Sequence, residues 1–301
     1  MKIASTLSAV VVLTALLAAP AMAQQGTLDK IRASGAITLG HRDSSIPFSY
    51  LDDDRKPIGY AMDLCARIVS AVQAELKLPS LKVNLQPVTS ATRIPLLANG
   101  TIDLECGSTT NNAERQKQIT YTITHFVTAN RFVSKKASNV NTVEDLKGKT
   151  VVSTSGSTNI KQITEINAEK KLGMTILPAK DHAEAFLMVD TGRAVAFVMD
   201  DILLAGLVAN HANPGQFVIS RDALSVEPYG IMLRKDDPAF KAVVDKAMSQ
   251  IFTSGAINEI YSKWFERPIP PRNVNLNIPM GASFKRVVGK PTDSPDPKVY
   301  E

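Results

Sequence analysis

The chain has 301 residues, 44% of them hydrophobic and 21% charged, with 34 Lys and Arg against 29 Asp and Glu. It can bury a sizeable core and is long enough for two domains, which excludes a disordered or fibrous polypeptide. The positive balance does not point to nucleic acid, because basic residues are spread along the chain beside acidic ones, form no long run, and are accompanied by only six Tyr and one Trp.

Residues 1–23 read as an export signal. Lys2 precedes the apolar run "IASTLSAVVVLTALLAAP", and "AMA" supplies small residues at Ala21 and Ala23 for cleavage before Gln24. The apolar part is short for a membrane anchor and ends in a processing site. No later run is apolar enough to span a bilayer, and no Cys follows the cleavage site to take a lipid. A soluble protein outside the cytoplasm is expected. Losing Lys2 lowers the formal charge from +5 to +4, a surplus that favours anionic small molecules by steering.

The mature chain opens with a short helix, "TLDKIRASG", and a buried strand, "AITLGHR". There follow an amphipathic helix, "YAMDLCARIVSAVQAEL", a strand, "LKVNLQPV", a short helix, "RIPLLANG", and another strand, "IDLECG". A second set runs "KTVVSTSGST", helix "NIKQITEINAEKKLG", strand "MTILPA", helix "AEAFLMVDTG", strand "AVAFVMD" and helix "ILLAGLVAN". Alternation at this spacing predicts α/β units with a mostly parallel sheet and helices on both faces. Two β-rich stretches, "THFVTANRFVSKK" and "SVEPYGIMLRK", stand where the chain would cross between units and return. The helical region from Pro238 to Phe265 then packs on the first unit. The Pro- and Asn-rich residues from Glu266 onward predict a surface tail that frays toward Glu301. Cys65 and Cys106 either pair, which in an exported protein would contribute about 4 kcal/mol, or stay as two buried thiols; the sequence leaves both open.

The strand ends carry the chemistry. Ligands of doubly wound folds collect where strands run into helices, and here those junctions read "GHRDSS", "TSATR", "GSTTNNAER", "STSGST", "AKDH" and "MDD". Hydroxyls and free N–H groups at helix starts, with Arg nearby, form an anion site. Pro95, tolerated in a helix's first turn, places Arg93 at the helix start. A Ser or Thr before a helix is commonly a mere cap; Arg42, Arg93 and Arg115 at three strand ends of one unit point to a shared anionic ligand. His182 and Asp200 come from the other unit and, by themselves, would be a helix cap and a surface acid.

At "GHRDSSIPFSYLDDDRKPIGYAMDL", "TSATRIPLLANGTIDLECGSTTNNAERQKQI" and "GRAVAFVMDDILLAG" the chain resembles the periplasmic glutamate/aspartate-binding proteins of ABC importers, from about Thr27 to about Asn273. The resemblance implies an α/β fold of two doubly wound lobes joined by a two-strand hinge, of the type II periplasmic-binding class. It implies lobe 1 at residues 27–127 and 229–275, lobe 2 at 128–228 and a C-terminal tail at 276–301. It further implies that Arg115, Ser108 and Thr110 clamp the ligand α-carboxylate with Thr158 from the second lobe, that Asp200 takes the α-ammonium, and that Arg42, Ser90, Arg93 and His182 hold the side-chain carboxylate. The implied ligand is L-glutamate or L-aspartate, the implied partner an inner-membrane ABC permease, and the implied location the periplasm. A monomer without cofactor or metal is expected.

The residues support that assignment separately. A guanidinium fork fits a carboxylate bidentately, and three forks with one acid suit a ligand with two carboxylates and one ammonium. A neutral side chain would leave Arg42 and Arg93 desolvated and unpaired, at about 3–5 kcal/mol, so Gln and Asn should bind poorly and Lys or Arg hardly at all. Glu and Asp differ by one methylene, worth about 1 kcal/mol. Competing classes are a binder of another anionic amino acid or dicarboxylate, a receptor feeding a sensor, and a dehydratase-like enzyme on the same fold with His182 as base. Against catalysis, none of the four His stands at metal-ligand spacing, and "TSGST" lacks the glycines of a nucleophile elbow.

Overall fold

The computed structural model describes residues 26–301; the expected signal at residues 1–23 lies outside them. Among the described residues no helix is long and apolar enough to cross a membrane.

The first sheet runs, edge to edge, Lys82–Pro87, Ala36–His41, Leu104–Cys106, Met232–Arg234 and Ile119–Tyr121. Its first three strands are parallel, as crossovers through the helices Tyr60–Glu75 and Arg93–Ala98 require, and Met232–Arg234 joins antiparallel on the chain's return. Leu64, Cys65, Ile68 and Val72 put one buried stripe on Tyr60–Glu75, and this face packs against the strands and the helix Pro238–Thr253. Each such side chain contributes about 1.5–3 kcal/mol. Cys65 and Cys106 form a disulfide with a Cα separation of 6.2 Å, tying that helix to the Leu104–Cys106 strand.

The second sheet runs Thr175–Ala179, Thr150–Thr154, Ala196–Asp200 and Phe126–Lys135, the first three parallel. The long Phe126–Lys135 strand pairs antiparallel with Ala196–Asp200 on one side and with both Phe217–Ile219 and Ser225–Tyr229 on the other. The two crossings between sheets lie side by side: Thr122 N–H donates to Ile231 O at 2.9 Å, and His125 N–H to Tyr229 O at 2.8 Å. Around them Phe48, Tyr60, Phe126, Tyr229 and Phe265 pack edge to face, stacked or tilted, with centroids 5.0–6.2 Å apart.

The C-terminal segment departs from the expectation of a fraying tail. Residues Ala282–Gly289 form a helix and Pro297–Tyr300 a 3-10 turn, and Phe284, Val287 and Tyr300 are buried. Phe284 lies against Phe126, Tyr261 and Phe252 with centroids 6.0–6.2 Å apart. Tyr300 shares a 2.8 Å hydroxyl contact with Thr124 in the first crossing, and Asn111 Nδ2 donates to Asp293 O at 2.8 Å. Composition concealed this because the apolar positions are few and their partners lie far away in the sequence.

Candidate functional site

Where the two sheets face each other, their strand ends meet. Arg42 follows the Ala36–His41 strand and is buried; its Nη2 donates to Ser90 Oγ at 3.0 Å and lies 3.5 Å from His182 Nε2. Arg93 begins its helix where Thr89 and Thr92 close the preceding turn through reciprocal side-chain-to-backbone hydrogen bonds of 2.9 and 3.2 Å. Its Nη1 donates to Thr109 Oγ1 and, at 3.4 Å, to Ser108 O. Arg115 Nη1 donates to Thr110 O at 2.9 Å and Nη2 to Gly156 O at 3.2 Å, the latter across the cleft.

From the second sheet, His182 opens a helix that Asp181 caps, and is therefore not itself the cap. Its Nδ1 lies 2.8 Å from Thr154 Oγ1. Burial, with Arg42 and Arg93 adding to it, holds its pKa well below the ordinary value, so the ring is neutral. Because Nε2 faces a guanidinium, it is the acceptor and Nδ1 carries the proton. Asp200 ends the Ala196–Asp200 strand and leaves the following helix without a side-chain cap. Its carboxylate instead accepts from Asn159 Nδ2 at 2.7 Å and from the Tyr229 hydroxyl. It is buried rather than the surface acid that its local sequence suggests; burial first, then the Glu227 carboxylate, push its pKa up to about 7. Thr158 Oγ1 lies 3.4 Å from Thr110 Oγ1 across the cleft and donates to Glu227 Oε2 at 3.2 Å.

All nine residues expected at the site thus converge. Ser90, Arg93, Ser108, Thr110, Thr158, His182 and Asp200 line one cavity, which Arg42 adjoins through Ser90 and His182, and Arg115 through Thr110. Arg42 Nη1, Arg93 Nε and Ser108 Oγ are buried without a hydrogen-bond partner. These three orphaned donors at one junction are what an anion would satisfy, while Glu105 Oε1, also without a hydrogen-bond partner, faces Arg93 Nη1 at 3.8 Å. The cavity measures about 10 Å³, room for about one water, so an amino acid enters only if the lobes part. The approach of the lobes is tight: Gly156 sits at φ 75°, and a Cβ there would lie 2.6 Å from Ala91 Cα.

One expectation needs correcting. The sequence predicts three guanidiniums with a single acid, but Glu105 and Glu227 are also buried beside the cavity. Glu105 Oε2 accepts from Thr109 Oγ1 at 2.6 Å, and Oε1 lies 3.8 Å from Arg93 Nη1. Asn159, Thr109 and Tyr229 were missed as well. Glu105 had a visible signal, a charged residue inside the otherwise apolar strand "IDLEC"; Tyr229 and Asn159 had none.

A roomier cavity of about 730 Å³ lies on the other side of the Phe126–Lys135 strand, between it and the C-terminal segment. Its Arg131 and Asp201 pair with each other at 3.1 Å, and none of its lining residues holds a buried side-chain polar atom without a partner.

The chain matches the family model of the bacterial extracellular solute-binding proteins, family 3, over residues 37–267. It is 52% identical to the L-glutamate/L-aspartate-binding protein of Pseudomonas aeruginosa, over 97% of this chain and 98% of that protein. It is 48% identical to the glutamate/aspartate import solute-binding protein of Escherichia coli K12, over 92% of this chain and 91% of that protein. Among solved structures, an ancestral arginine-binding protein bound to arginine superimposes with a TM-score of 0.70 at 29% identity, covering 77% of this chain and 98% of its own. The match to the family model, the two curated relatives and the two-lobed α/β architecture agree: the chain belongs to the bacterial extracellular solute-binding proteins, family 3.

Proposed function

We propose that this protein captures L-glutamate and L-aspartate in the periplasm by hinge closure and delivers them to an inner-membrane ABC importer. The carrying observation is the convergence of Arg42, Arg93 and Arg115 on one buried junction, facing His182 and Asp200 from the other sheet. The curated relatives' names, which give glutamate and aspartate, support it.

In this reading Arg115, Ser108, Thr110 and Thr158 take the α-carboxylate, Asp200 takes the ammonium, and Arg42, Ser90, Arg93 and neutral His182 take the side-chain carboxylate. The paired crossings Thr122–His125 and Gly230–Ile231 serve as the hinge, with lobe 1 comprising residues 27–127 and 229–275 and lobe 2 residues 128–228. The open lobes expose cationic donors to solvent, and the ligand supplies the charges that bridge them, so closure is favoured when it is bound. The protein acts as a monomer.

Isothermal titration with glutamate, aspartate, glutamine and arginine tests this. The acidic pair should bind at least about a hundredfold tighter than the others. Equal affinity for glutamine, or consumption of any bound amino acid, would overturn the reading.

A further inference from the structure

We propose that Glu105 is the internal counter-ion that fixes the charge of the side-chain subsite, so that this subsite takes a group bearing one negative charge and rejects one bearing two. The inference rests on the reading that Arg42 and Arg93 receive the ligand's side-chain carboxylate.

Glu105 lies on the Leu104–Cys106 strand, fully buried, with its neighbour Cys106 locked by the disulfide to Cys65. The backbone beneath its carboxylate therefore has little freedom to relax. Thr109 bridges it to Arg93: the Thr109 hydroxyl donates to Glu105 Oε2 at 2.6 Å and accepts from Arg93 Nη1. Gly107 makes room for this nest, because a Cβ there would lie 2.3 Å from Glu105 Oε1 and 3.1 Å from Arg42 Cγ. The charged and titratable groups around Glu105 are Arg93 on its helix, Arg42 on the first strand end and Tyr121 on the edge strand, with Arg115 beyond Arg93. His182 and Asp181 face Arg42 from the second sheet.

Two guanidiniums and one carboxylate leave one net positive charge. A buried subsite discriminates by leaving a mismatched charge uncompensated, and in a water-poor cleft that mismatch is felt strongly. One carboxylate neutralises the subsite. A dianion would overload it, although the two guanidiniums alone would have matched a dianion. Thr109 also keeps Arg93 aimed, leaving its Nε free for the ligand. Glu105 is thus a positioning and specificity residue that need not touch the ligand.

The probe is L-2-amino-4-phosphonobutyrate, a glutamate analogue whose distal phosphonate passes from one negative charge to two across the neutral range. Its Kd is divided by that of glutamate at each pH, which cancels the contributions of the ammonium and α-carboxylate ends. In the wild-type protein the ratio should rise about tenfold between about pH 6 and about pH 8.5, and in Glu105→Gln it should stay flat or fall. A flat or falling ratio in the wild type, or the wild-type trend retained in Glu105→Gln, would overturn the proposal. A purely structural role would weaken both ligands together and leave the wild-type trend in place. Should Glu105→Gln fail to fold, the wild-type trend still decides. Loss of all glutamate binding by the wild type would strike the proposed function instead, so the two failures are distinguishable.

Discussion

His182 Nε2 and Arg42 Nη2 lie 3.5 Å apart, one from each lobe, with the imidazole held neutral so that it accepts from the guanidinium. The contact aims Arg42 and leaves its Nη1 free. Hydrogen bonds to charged groups are worth about 1.5–3 kcal/mol, so His182→Ala should weaken glutamate binding about tenfold to a hundredfold. Calorimetry checks this; wild-type affinity in the variant would place His182 outside the binding energetics.

Arg93 and Glu105 form a buried pair, so the two residues should be coupled in stability as well as in binding. Arg93→Met should abolish measurable glutamate binding and also destabilise the fold by about 3 kcal/mol, because buried Glu105 then loses the cation it pairs with and keeps only the influence of Arg42. Adding Glu105→Gln should recover most of that stability without restoring binding. Urea unfolding of the two single variants and the double variant measures the coupling. Strict additivity would show the pair to be independent.

Asp200 carries a pKa of about 7 raised by burial and by Glu227. An ammonium arriving beside it favours the carboxylate, so the bound state holds fewer protons than the free state below that pKa. Glutamate affinity should therefore rise with pH between about 5 and 7, by up to about tenfold per unit, and level off above. Glutarate, which lacks the ammonium, should lack this rise. Asp200→Asn should weaken glutamate far more than glutarate; equal losses would remove Asp200 from the ammonium site.

The Cys65–Cys106 bridge closes a separation of 41 residues, for which chain entropy gives about 4 kcal/mol. Reduction, or the pair of substitutions Cys65→Ala and Cys106→Ala, should lower unfolding stability by roughly that amount. Denaturant unfolding with and without reductant measures it, and an unchanged midpoint would show that the bridge contributes nothing.

Phe284 seats the C-terminal helix on Phe126, Tyr261 and Phe252. Phe284→Ala should cost about 3–5 kcal/mol, comparable to a core substitution. A melting temperature equal to wild type would mean that the segment detaches freely.

Much of this protein was legible in one dimension. Hydrophobic periodicity placed the strands and helices of both units, because the 3.6-residue and two-residue repeats are local properties of the chain. Arg42, Arg93 and Arg115 stood out because cations beside small hydroxyl residues at strand ends have a local chemical signature. The tail was misread for the complementary reason: Phe284 and Tyr300 look unremarkable until Phe126 and Thr124 are brought beside them.

The sequence by itself determined the alternating α/β elements and the three guanidiniums at strand ends, all properties of short stretches, whereas His182 and Asp200 read locally only as a helix cap and a surface acid. Tertiary structure alone decided that Cys65 meets Cys106, that Asp200 lies buried between Asn159 and Tyr229, and that Glu105 neutralises part of the cationic cluster. Pairing energy and desolvation depend on distances between residues far apart in the chain, and only the packed fold fixes those distances.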